Sequence, residues 1–583
     1  MKPLFLGWNA NGTPVTLPMK TRQTTHTHVI GGSGTGKSKF VEWMIRGDVS
    51  EGQGLCVLDW HGTLYKNVLQ WCAYHDMGLF DDYRKLVLLN LSEPQHITGF
   101  NPFMNTGADV GPLVNRRISA TVKPWGQQNT NDMPTFERVC RLVYTFAVET
   151  RETLPNAALL LDFANAKLRD YAMRLASDTR IRGQWQHLQR IKDLTDWDHH
   201  VLSTDNRLTR FLTSQTIKRF MGLADHNLNL MDAMEQGTII LVNLAQSDFL
   251  SPEEGRLFAA LFLNEFFEAA MRRAGRLPPG EAAAPYMLYL DEFQEYITDD
   301  LASMLDEVRK GGLHMTLAHQ HLGHFIENKR LQKSVFTNAR IRAVFGGLDY
   351  EDGAVIANEM FLPDLNARQI AKAFYHTIHL YREETRHIPT HGHGSGSAHI
   401  VSSGTTSGVS IPGEDTEGWF ASAPATSFSS DSSGVADGTS DIDTFSDAEV
   451  PVFVPIPKEE LGHEETWPRE EKVSKVVEML KQQQQRHCFI KLDTERTQPL
   501  KVPLVRQFSV APETLLEYEG DVYQAQDALP AAQVDRVLKE SEEHFLARAL
   551  PEARADDENF SGPQPKLTPA LRPKPKTTRA KKS

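Results

Sequence analysis

Apolar residues along this chain follow two rhythms. Short unbroken runs such as Gly54-Leu55-Cys56-Val57-Leu58-Asp59, Leu86 to Leu91, Thr238-Ile239-Ile240-Leu241-Val242 and Tyr286-Met287-Leu288-Tyr289-Leu290 read as strands buried on both faces. Other stretches repeat apolar positions every three or four residues. Between Phe136 and Val148, the residues Val139, Leu142, Val143, Phe146 and Ala147 fall on one helical face. Ser251-Pro252-Glu253-Glu254 has the form of a capping box with proline in the first turn, and predicts a long helix running through Arg273 and ended by Gly275.

The rhythms divide the chain. Strand and helix signals alternate through residues 1–103, give way to a helix-rich, glycine-poor stretch at 104–235, and resume at 236–386. One α/β domain interrupted by an inserted all-α domain is the simplest account. From His387 to Pro457 there is no Lys or Arg, and 395–447 is dominated by Ser, Gly, Thr and Asp. That composition cannot bury enough surface to offset ordering entropy, so 387–457 is expected to be a disordered linker. Its four histidines His387, His391, His393 and His399 are more simply solvated than metal-binding. In 458–510, a helix from Val473 to Leu480 and strands His487 to Leu492 and Lys501 to Val505 are expected to return to the main domain. The last part, 511–583, holds a helix at 531–548 and a proline-rich basic tail.

The candidate chemistry begins at His28-Val29-Ile30-Gly31-Gly32-Ser33-Gly34-Thr35-Gly36-Lys37-Ser38, a full G-x-x-x-x-G-K-[ST] match between a strand and a helical run, Lys39 to Ile45. Gly31, Gly32, Ser33, Gly34, Thr35 and Gly36 would wrap backbone N–H groups around phosphate oxygens at a helix N-terminus. Lys37 would bridge the β- and γ-phosphates, and Ser38 would hold a magnesium ion. The strand Tyr286 to Leu290 delivers Asp291 and Glu292 at its C-terminal end. Asp291 suits the metal, and Glu292 suits polarising the water that attacks the γ-phosphate. Gln320, ending the next strand, is placed to sense that phosphate. Arg309 precedes that strand; it is either a solvated helix-end cation or an arginine lent to a neighbouring subunit, and spacing alone does not decide. The fold class is therefore α/β: a RecA-like P-loop NTPase domain with an inserted all-α domain and a Ser/Gly/Asp-rich linker, using ATP and Mg2+.

Composition adjusts this picture in four ways. An apolar content of 40% over 583 residues gives room for a real core. Four scattered cysteines without a C-x-x-C pair argue for a reducing compartment and against a structural zinc site. No apolar run of about 18 residues and no apolar core of signal-peptide length occur, so the expectation is a cytoplasmic protein. The net charge of −13 does not advertise a nucleic-acid binder, yet residues 559–583 carry seven Lys/Arg and no acid. A ring can hold DNA with a few basic loops while its outside stays acidic.

The ordered set of motifs resembles the HerA/FtsK superfamily, and within it the cytosolic part of type IV secretion coupling proteins, the TraG/TraD group. The set comprises the phosphate loop, Leu58-Asp59-Trp60-His61-Gly62, Phe100-Asn101-Pro102-Phe103, Leu290-Asp291-Glu292-Phe293, Val308-Arg309-Lys310-Gly311-Gly312-Leu313 and Ala318-His319-Gln320. The resemblance covers about residues 20–385. It implies a hexameric ATPase that pumps DNA, with Arg309 as an arginine finger, Gln320 as a γ-phosphate sensor, Asp59 as a helper at the catalytic centre, and 104–235 as the domain that meets DNA or the relaxosome. Trp60 stands where the family often has proline, and the family's usual N-terminal membrane anchor is not seen, so recruitment to the inner membrane face would need a partner. Two other readings stand beside a DNA translocase: a type IV secretion ATPase powering protein export or assembly without DNA, and a nucleotide-gated adaptor.

Overall fold

A computed structural model describes residues 2–548 except 76–84, 105–108, 123–133, 226, 279–280, 297–300, 326–328, 367–377, 395–399, 411–425, 437–441 and 459–468. The basic tail at 559–583 lies outside the described residues. An eleven-stranded sheet organises the chain. Its strands, numbered in chain order, are β1 Leu4–Trp8, β2 Pro14–Leu17, β3 Thr27–Ile30, β4 Leu55–Asp59, β5 Leu86–Asn90, β6 Ile239–Asn243, β7 Tyr286–Leu290, β8 Leu313–His319, β9 Ile341–Phe345, β10 His487–Leu492 and β11 Gln498–Lys501. The spatial order is β2-β1-β11-β10-β9-β3-β8-β7-β4-β6-β5. From β9 through β5 all neighbours run parallel. From β9 to β2 they are antiparallel.

Burial follows the unbroken apolar runs. Leu55 and Val57 face one core with Val29, Leu241 and Tyr289, while Cys56 and Leu58 face the other with Ile30, Val242 and Leu288. Parallel strands need this double cover because their crossover helices lie on both faces. The long helix Pro252–Arg276 begins at Ser251, whose side chain and Glu254 form the expected capping box, and it continues past Gly275.

The regular elements described in 104–235 are helices, with their own core around Phe136, Val139, Tyr144, Trp185 and Trp197. The Phe100–Phe103 motif forms the turn into it. Asn101 Oδ1 accepts from Phe103 N (3.0 Å), and Asn101 N donates to Asn227 Oδ1 (2.9 Å). Leu228 N then donates to Gly99 O (2.8 Å), so the two connections to the sheet are stitched together. Arg117, fully buried, ties the insertion's first helix to the long helix through Glu265 and Glu268.

The return after residue 458 occurs: helix Arg469–Lys481 leads into β10 and β11. The second strand is Gln498–Lys501 rather than Lys501–Val505. Pro503 has no N–H for a ladder, and β1 meets β11 only at Trp8–Lys501, so Pro499 costs no bond to a second neighbour. Of the expected disordered linker 387–457, residues 395–399, 411–425 and 437–441 lie outside the described residues, and the rest is extended. Residues 378–394 pair antiparallel with 442–458, and 400–410 with 426–436. A composition that denies a packed core still lets backbone N–H and C=O groups pair across a ladder. Ile400, Val401, Thr405, Thr406 and Val409 favour extended backbone.

The C-terminal region forms a strap from sheet to insertion. Helix Pro512–Ala525, which the sequence reading missed, precedes Gln526. The Gln526 amide covers the open edge of β5, accepting from Leu88 N (2.8 Å) and donating to Leu88 O (3.1 Å). Helix Ala531–Ala547 then crosses to the insertion, where Arg219 grips Asp535 at 2.8 and 2.7 Å and Phe545 enters the helical core. Phe545 is 1% exposed. Phe545→Ala is expected to destabilise the insertion by about 3–5 kcal/mol, read as accelerated amide exchange in 134–212; unchanged exchange there would show that the strap does not support it.

Candidate active site

The parallel strands end on one edge, and the predicted site residues other than Arg309 gather there. β3 runs into the phosphate loop, whose Thr35 hydroxyl donates to Gly32 O (2.8 Å). Two glycines are sterically required. A Cβ on Gly31 would come within 2.4 Å of Phe345 Cβ, and Gly36, at φ +108°, holds a left-handed turn into the helix Lys37–Ser50. Ser33, Gly34 and Ser38 are exposed, so the loop presents an open cradle.

Lys37, the first residue of that helix, is buried and points along the sheet edge. Its Nζ lies 3.1 Å from Glu292 Oε1. Gln320 Nε2 donates to the same oxygen (2.8 Å), and Gln294 Nε2 donates to Oε2 (2.6 Å). Glu292 adopts φ +52°, a left-handed conformation unusual for a side-chain-bearing residue. Burial pushes the Glu292 carboxyl up, but Lys37 and the two amide donors outweigh it and hold the group below the usual range. Asp291, next to it, goes the other way. Burial and then the Asp59 charge push it up to about 7, against the pull of Lys37. Adjacent carboxyls are thus separated into an ionised and a readily protonated one.

Asp59 ends β4 fully buried. Its oxygens accept from His61 N (3.0 Å) and Tyr65 N (2.7 Å), which shapes the turn into the next helix. It therefore reaches the site through its charge on Asp291. Arg309 is not brought to this edge. It sits in the turn Val308–Gly311 before β8, donating to Thr24 O and to Asn338 Oδ1. β8 separates it from Gln320, a distance of about 20 Å at the usual rise per residue.

Other residues at the site escaped the sequence reading. His28 on β3 and His319 on β8 place their Nε2 atoms 2.6 Å apart, with rings stacked at 4.9 Å. Burial, then His319, holds His28 well below its ordinary value, so one neutral ring donates to the other. Leu322 N donates to Asp352 Oδ2 (2.7 Å), fixing the loop after Gln320. On the other flank, Gln485 Nε2 donates to Gly34 O (3.2 Å) and Arg486 N to Thr35 O (3.1 Å). The expected return strands pointed to this neighbourhood, but a glutamine run carries no periodic signal that would place its side chains.

Residues 4–87 match the family model of the central domain of the helicase HerA. The chain is similar there to that domain, and the match runs from β1 to the start of β5 with the phosphate loop and Asp59. No curated protein matches it. Among solved structures, plasmid coupling protein TrwB in complex with the non-hydrolysable ATP analogue ADPNP is 11% identical, covering 88% of this chain and 92% of that chain at a TM-score of 0.47. The unbound monoclinic form of the conjugative coupling protein TrwBdeltaN70 is 11% identical, covering 87% and 91% at 0.46. VirB4 of Thermoanaerobacter pseudethanolicus is 12% identical, covering 62% and 88% at 0.38.

The raised Asp291 pKa gives a signed prediction. A carboxyl that titrates at about 7 when folded, against an ordinary 3.8, contributes its full stability below the ordinary value and loses it as the pH rises through 7. Asp291→Asn is expected to be more stable than the wild type at pH 8, by roughly 4 kcal/mol, with the gap shrinking toward pH 5. Urea unfolding at both pH values checks it; a pH-independent gap refutes the assignment.

Proposed function

We propose that this protein hydrolyses ATP to translocate DNA, acting as a hexameric ring of the coupling-protein type. The observation that carries the ATPase reading is the convergence of Lys37, Gln320 and Gln294 on the Glu292 carboxylate at the strand edge where the phosphate loop opens. Lys37 would move from Glu292 to the β- and γ-phosphates. Glu292, ionised and aimed by the two amides, would accept the proton of the attacking water, and Gln320 would report the γ-phosphate.

The residues fit a magnesium ion. Asp291 Oδ1 is buried with no hydrogen-bond partner, and Ser38 is exposed beside the loop. Among the described residues, no group of three His, Cys, Asp or Glu could hold a metal. That suits an ion shared with nucleotide phosphates and one or two protein oxygens. Ser38 and Asp291 would hold it, and it would neutralise phosphate charge.

Arg309 lies at the opposite strand edge and cannot serve its own chain's site, so the finger would act on a neighbouring subunit in a ring. The motif order and the HerA-type segment support the DNA reading, with the insertion and the basic tail as further contacts and relaxosome or secretion-channel proteins as partners. Among the described residues no helix is long and apolar enough to cross a membrane; the proposed place of work is the cytoplasm, at the inner membrane face with a partner.

Turnover per subunit is expected to rise with protein concentration and with added DNA. Arg309→Ala and Lys37→Ala should each be inactive, with loss of a trans arginine costing about 10³–10⁵ in rate. Mixed, they should regain activity, because the Lys37→Ala subunit lends its intact Arg309 to a neighbour. Hydrolysis indifferent to DNA would point to a secretion ATPase instead, and the absence of rescue at any mixing ratio would contradict the trans finger.

A further inference from the structure

A nucleotide needs a place for its base as well as its phosphates, and the sheet order limits where that lies. The acid-bearing strands β7 and β4, and β8 with Gln320 at its end, lie on one side of β3, while β9 and β10 lie on the other. A triphosphate whose γ end meets Lys37 and Glu292 must direct its nucleoside away from the acids, toward the β9 and β10 flank. There the loop between the helix Arg469–Lys481 and β10 sits on the phosphate loop.

That loop is the run Gln482-Gln483-Gln484-Gln485-Arg486, and it is held firmly. Arg486 N donates to Thr35 O (3.1 Å), and Val502 N donates to Arg486 O (2.9 Å). Arg486 Nη2 donates to Val502 O (3.0 Å). Gln483 Nε2 bonds Val344 O (3.2 Å). Arg486 keeps φ +68°, a left-handed conformation that is costly for a side-chain-bearing residue and recurs where ligands are clamped.

Gln485 is exposed, and its Nε2 is committed to Gly34 O at 3.2 Å. A carbonyl can only accept, so this bond fixes which way the amide points. The Oε1 is then the acceptor of an exposed amide held beside the phosphate loop.

We propose that Gln485 selects the base of the bound nucleotide, its Oε1 accepting the exocyclic amino group of adenine. An amide fixed in this sense rewards an amino donor and opposes the keto oxygen that guanine or uracil presents at the matching position. The protein is then a reader of amino bases, with ATP preferred to GTP. This rests on the phosphate loop binding a triphosphate, as proposed above.

The test is competition binding of ATP, GTP and inorganic tripolyphosphate to the full chain and to Gln485→Ala. The wild type is expected to bind ATP about tenfold more tightly than GTP. In Gln485→Ala, ATP affinity should fall to that of GTP while tripolyphosphate affinity stays the same. The side chain is exposed, so folding is not at risk, and a thermal melt confirms it. Equal affinity of the wild type for ATP and GTP overturns the proposal. So does a variant that loses ATP, GTP and tripolyphosphate affinity alike, for Gln485 would then only brace the loop. A wild type that binds neither ATP nor tripolyphosphate fails the nucleotide-binding reading itself.

Discussion

The buried ion pair between Lys37 and Glu292 is the contact on which the site depends. Two charges, each about 5% exposed and 3.1 Å apart, join the helix after β3 to the end of β7. Such a pair adds little net stability, because desolvating both ions offsets most of their attraction. Removing either partner, by contrast, strands a buried charge. The pair therefore acts as a geometric constraint. It holds the glutamate where Gln320 from β8 and Gln294 can donate to it, and it keeps the lysine beside the phosphate loop. On the proposed mechanism, phosphates that draw Lys37 away would free the carboxylate for water, and nucleotide binding and activation of the base would be one event.

Much of this was legible in the sequence because strand ends deliver side chains at fixed places. The apolar run 286–290 had to be a buried strand, and Asp291 and Glu292 had to emerge at its end. The same holds for Asp59 after 55–58 and Gln320 after 313–319. Tertiary choices were less visible. The His28–His319 contact pairs β3 with β8, residues 291 positions apart, and no local pattern records that adjacency. Helix Pro512–Ala525 buries only Tyr518, Val522 and Tyr523, too few apolar positions for a clear period. The ladders at 378–458 rest on backbone pairing, which composition does not report.

The chain's ends return to its middle. β1 meets β11 near residue 501, the loop at 482–486 braces the phosphate loop, and the C-terminal strap crosses from β5 to the insertion. The insertion is thus fixed to the sheet at three places: its stitched connections, Arg117 on the long helix, and Asp535 with Phe545 on the strap. A rearrangement at the nucleotide edge has short mechanical routes to the insertion.

The central claim, that Glu292 is the water-activating base whose partner Lys37 is drawn away by phosphate, is tested most directly by single-turnover cleavage of bound ATP in Glu292→Gln beside the wild type. Glu292→Gln removes the carboxylate but keeps the shape and a hydrogen-bonding atom for Lys37. The account predicts ATP binding at least as tight as in the wild type, because Lys37 is no longer held by a buried anion, together with near-complete loss of cleavage. Near-normal cleavage by Glu292→Gln would contradict it.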